Sequence, residues 1–115
     1  MEEQELINMA KEAYLLSKQL GALEEVVKNH RNVAGYRAQA ENYNQILERA
    51  KQLLKHDEII FNSIKHLKPY DSNKSSGYTK EFVEIGADAA VLKEALYTFF
   101  EFYFPKKEKE KIGFQ

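Results

Sequence analysis

The chain has 115 residues, 30% of them charged, with a formal net charge of −1 and no cysteine. That length supports one domain around one core, and the balanced charge gives no global pull towards nucleic acid or anionic lipid. Without cysteine there is no disulfide frame, thiolate nucleophile or cysteine metal site. The opening MEEQE is acidic and lacks a secretory signal. No apolar stretch approaches the roughly 18 residues of a membrane span, so a cytoplasmic protein with no membrane partner is expected.

From Leu6 the apolar positions step by three and four through Met9, Ala13, Leu16, Leu20, Leu23, Val27, His30 and Ala34. This spacing puts one seam along a long first helix, with Glu2, Glu3 and Glu5 at its positive end. Gly21 lies off the seam and is expected at a close backbone contact. A second seam, Tyr36, Ala40, Tyr43, Leu47, Ala50 and Leu54, is out of phase with the first. The jump, together with Asn29, Asn32 and Gly35, predicts a turn near 30–35. In KHDE, residues 55–58, Asp57 lands on the seam, so the second helix is either continuous or split near residue 56. Ile59, Ile60, Phe61, Ile64 and Leu67 then resume the apolar face.

Residues 68–79, KPYDSNKSSGYT, are dense in turn formers and predict a loop. Thr79 is the expected N-cap of a last helix, with Tyr78 stapled onto Val83. Its seam is Phe82, Ile85, Ala89, Leu92, Leu96, Phe99 and Tyr103, and Pro105 ends it. The tail from residue 106, KKEKEKIGFQ, alternates charges and is expected to be mobile beyond a domain covering 1–105, with Ile112 and Phe114 able to dock.

Six of the fourteen aromatic residues fall between Tyr97 and Phe104. They extend a helical seam, which excludes a strand. Ala95 and Phe102 on one flank, and Val83, Ala90, Tyr97 and Phe104 on the other, widen the apolar arc beyond half the circumference. An ordinary surface helix shows a narrower stripe. The last helix is therefore either central within its own chain or shared with another. The density of rings favours a shared surface of Leu96, Tyr97, Phe99, Phe100, Phe102, Tyr103 and Phe104, because exposed they would exceed the patch that monomers leave open. The Glu-rich polar face argues against a lipid surface.

Three constellations invite a chemical reading. His30, His56 and His66 show neither i, i+4 pairing nor Glu-x-x-His spacing. Glu81, Glu84 and Asp88 share one face of the last helix, and such carboxylates hold Mg²⁺ in phosphate chemistry. They loosely resemble the all-α pyrophosphohydrolases of the MazG type, although that signature also needs an E-E-x-x-E run on a partner helix, which is missing. A solvated acidic face accounts for them. Arg49 and His56 have a spacing similar to the R-x(4–6)-H of HEPN-type ribonucleases, and residues 78–96 resemble that family's closing helix. Chance alone supplies about 0.2 such Arg–His spacings in this composition, so the spacing does not identify the family. Lys51, Lys55, Lys65, Lys68 and Lys74 with Arg49 make residues 49–80 about +4 by a count of seven basic and three acidic residues. No nucleic-acid motif accompanies them.

The expectation is thus an all-α, up-down-up bundle of three long helices, or four if the second is split. Its expected role is a non-enzymatic scaffold or adaptor that self-associates, most simply as a dimer, through the last helix and also accommodates a protein partner. No cofactor, metal or catalytic residue is assigned. The alternative is an all-α enzyme acting on nucleotides or RNA through the carboxylate face or the Arg–His pair.

Overall fold

The computed structural model describes residues 2–29 and 35–111, which form five helices. The expected turn at 30–35 falls mainly outside the described residues, as do His30, Ala34, Ile112 and Phe114. Helix α1 spans Glu3–Asn29, with Glu3 and Glu5 in its first turn and Lys28 in its last, each sign suiting its end of the helix dipole. Its seam is the expected one: Ala13, Leu16, Leu20, Leu23 and Val27 are buried, and Leu6 and Met9 pack partly against the core. Helix α2 spans Tyr36–Leu54, and every residue of its predicted seam is buried.

Asp57 splits the second segment. It adopts an extended conformation, and its Oδ1 accepts a hydrogen bond of 3.0 Å from the Ile60 amide, capping the short helix α3, Glu58–Ile64. The last long helix, α4, spans Thr79–Tyr103. Thr79 is its first residue rather than its cap. Tyr78 stacks on Tyr36 with ring centroids 4.6 Å apart, while Val83 is half exposed. Pro105 restricts Phe104 to an extended conformation and so ends α4. The charged segment that follows opens with a further short helix, α5, Lys106–Lys111.

The bundle is all-α as expected, but its directions run up-down-down. Helix α1 is antiparallel to α4, since Tyr14 meets Phe100 while Glu24 pairs with Lys93. Helix α2 is parallel to α4, since Tyr36 meets Phe82 at one end and Asp57 meets Tyr103 at the other. The cause is the loop at 65–78, which is a return strap rather than a tight turn. Lys51 Nζ donates to the Leu67 carbonyl at 2.5 Å, Asn44 grips Tyr70 through two bonds of 2.8 Å, and the Tyr36 hydroxyl donates to the Asp71 carbonyl at 2.7 Å. The strap therefore climbs α2 from its C-terminal to its N-terminal end, and Gly77 at φ 67° turns it into α4.

Helix α4 is the central element, packed most extensively on α1 and also in contact with α2 and α3. At Gly86 of α4, helices α1 and α4 pack tightly, since a Cβ there would lie 3.1 Å from Val27 Cγ1 of α1. At Gly21, where the sequence suggests close backbone packing, the nearest atom to a Cβ would be Lys93 Cδ at an ordinary 3.9 Å.

Candidate functional site

The aromatic run divides into two faces. Leu96, Phe99, Phe100 and Phe104 are buried within the chain itself, at 0%, 0%, 1% and 3% exposure. Phe100 lies between the Tyr14 ring at 4.8 Å and the Phe104 ring at 5.1 Å, and the Lys109 ammonium sits 5.1 Å from its centroid. Lys109 also pairs with Glu101 at 3.0 Å, so α5 folds back over this part of the run. Tyr103 is partly buried, and its hydroxyl donates to Asp57 Oδ2 at 2.5 Å. The large rings of this stretch are thus mostly covered from within, because α4 is central. Of the seven residues expected at a shared surface, Tyr97 and Phe102 remain exposed, at 37% and 70%.

Phe102 belongs to a different feature, an apolar groove of about 570 Å³ between α3 and α4. Ile59, Ile60 and Ser63 form its α3 wall. Val91, Ala95, Thr98 and Phe102 form the α4 wall, with Glu94 beside them. The rims are apolar and open: Ile59 is 84% exposed and Val91 41%. Local geometry explains why. Helix α3 turns Ile60 and Ile64 into the core, and a residue one position earlier is rotated by about 100° from that direction. Ile59 is therefore driven outward. Phe102 follows from the same logic on α4, where Phe99 and Tyr103 face inward. Leaving such side chains in water forgoes roughly 1.5–3 kcal/mol each relative to full burial.

The sequence reading places Phe102 at the surface patch but misses Ile59, Val91 and Thr98 as its neighbours. A signal for Ile59 was present in the run Ile59-Ile60-Phe61, since three consecutive apolar residues cannot all face one core from a helix.

The polar constellations are dispersed by the fold. Glu81 pairs with Lys74 at 2.8 Å, which holds its carboxyl below the usual range, and Glu84 lies 3.9 Å from Lys80. Asp88 instead accepts a hydrogen bond from the Tyr70 hydroxyl. Burial first, and then this carboxylate, push the Tyr70 hydroxyl's pKa upward. Among the described residues no three His, Asp or Glu side chains are gathered as metal ligands. Arg49 forms a two-point pair with Glu12, at 2.5 and 2.7 Å, joining α2 to α1, and the hydrogen bond lowers the Glu12 pKa. His56 lies exposed in the break between α2 and α3. Among the described residues no helix is long and apolar enough to cross a membrane.

In comparison with known proteins, the chain matches no protein-family model, and neither a curated protein nor a solved structure matches it.

Proposed function

We propose that the protein is a non-enzymatic adaptor that binds another protein through the groove between α3 and α4. The observation that carries this reading is the pairing of Ile59 and Phe102, two large apolar side chains left 84% and 70% exposed across one apolar groove. Apolar anchors grouped on an open face are the usual carriers of binding energy. An open rim suits a protein surface better than a small ligand, which binding pockets largely enclose.

The test is a selection from a displayed library of helical peptides on the wild-type chain, with counter-selection on Phe102→Asp. Phe102 contributes little to the folded core, so this variant should keep its circular dichroism spectrum. Binders that require Phe102 support the reading. A library that yields none, or only binders indifferent to Phe102, refutes it.

Self-association is the second reading, favoured by the same exposed rings. Light scattering over a hundredfold concentration range tests it: a mass at a multiple of 13.4 kDa that falls to the monomer in Phe102→Asp supports a dimer through this face.

A further inference from the structure

We propose that the occupant of the α3–α4 groove is an amphipathic helix of another protein whose flanks carry Lys or Arg; this rests on the protein-binding reading above and specifies the partner. The groove's α4 wall runs from Val91 to Phe102, about 17 Å or three turns at the α-helical rise. That length accepts a helix presenting anchors at i, i+3 or i+4, and i+7. Val91 and Phe102, at the two ends of this wall, and Ile59 across from it are exposed, so a docked helix covers the three together.

Charge selects among such helices. On α4, Glu81, Glu84 and Glu101 lie 2.8, 3.9 and 3.0 Å from Lys74, Lys80 and Lys109, Asp88 accepts from the Tyr70 hydroxyl, and Lys93 is held 2.6 Å from Glu24, so these charges are matched within the chain. Glu94 is exposed beside the groove, and its carboxylate has no ion-pair or hydrogen-bond partner among the described residues. A basic flank on the incoming helix supplies the missing counter-charge. A second copy of this chain does not. A two-fold axis through the groove sets its centre against itself, bringing Glu94 towards the Glu94 of the other copy. Complementary charge raises both the association rate and the discrimination against acidic partners.

The experiment uses the full chain and two synthetic helical peptides of about 15 residues with the same Leu stripe on an Ala/Gln background, one flanked by Lys and one by Glu. Binding is read by fluorescence anisotropy at low and high salt. The Lys peptide should bind more tightly, lose affinity with salt, and weaken about tenfold in Phe102→Ala. Glu94→Lys should weaken the Lys peptide and strengthen the Glu peptide, each by about fivefold, the effect of one exposed ion pair.

Equal binding of both peptides to the wild type, or no exchange of preference in Glu94→Lys, overturns the inference. If library-selected helices still require Phe102 in that case, the groove-binding reading stands while the basic-partner inference falls. Binding indifferent to Phe102→Ala shows a contact elsewhere and overturns it as well. A Phe102-dependent dimer of the chain makes the second copy the occupant and also overturns it.

Discussion

Replacing Asp57 by Ala removes two interactions from one carboxylate. Asp57 Oδ1 caps α3 through the Ile60 amide at 3.0 Å, and Oδ2 accepts the Tyr103 hydroxyl at 2.5 Å, tying the α2–α3 break to the end of α4. Loss of an N-cap costs about 1 kcal/mol. The second bond is worth about 1 kcal/mol net, because Tyr103 is only partly buried and its released hydroxyl can reach water. The total of about 2 kcal/mol acts on an unfolding entropy of roughly 0.24 kcal/mol/K for a chain of this length, so the midpoint should fall by about 8 °C. Differential scanning calorimetry measures this directly.

A cycle with Tyr103→Phe isolates the shared bond: the double variant should lose less than the sum of the two singles. The pH dependence has a defined sign. The Tyr103 hydroxyl, and after it the Ile60 amide, hold the Asp57 pKa below its ordinary value. The folded pKa is thus lower than the unfolded one. The contribution is complete above the unfolded pKa, near the ordinary carboxylate value, and is lost as pH falls through the lowered folded value. The gap between wild type and Asp57→Asn should therefore narrow in acid. Additive single variants, or a gap that widens on acidification, would refute the assignment.

Two further substitutions probe the interior. Tyr43 is wholly buried, burial pushes its hydroxyl pKa upward, and that hydroxyl has no hydrogen-bond partner among the described residues. Tyr43→Phe should therefore leave stability unchanged or raise it by up to about 1 kcal/mol in urea unfolding, whereas a loss of that size would reveal a bonded hydroxyl. Asn44→Ala removes both bonds that grip Tyr70 and should cost about 2 kcal/mol. Hydrogen exchange should then show the Tyr70 amide losing protection while the α1–α4 amides keep theirs; unchanged protection at Tyr70 would mean that the strap is held without Asn44.

The helical class, the bodies of the long helices and nearly all of their buried faces follow from the sequence alone, whereas the short helix α5 lies in the tail expected to be mobile. The reason is periodicity: residues three and four apart share a face whatever the helix packs against. Asp57 marked where a break could fall, because a cap is a local interaction, but the sequence left a continuous helix equally open. The direction of α4 was not legible in this way. It depends on Lys51, Asn44 and Tyr36 bonding the backbone of a loop 16 to 35 residues away, and no turn propensity in KPYDSNKSSGYT encodes those partners.

The aromatic run shows the same division. Its helical phase is written in the sequence, but which rings meet water is set by what surrounds α4. Helices α1, α2 and α3 all pack against α4, α5 returns over Phe100, and Phe102 is left exposed beside α3. Composition and spacing thus determine which side chains need burial. Tertiary packing decides which of them are buried within the chain, and the groove at Ile59 and Phe102 is where that packing ends.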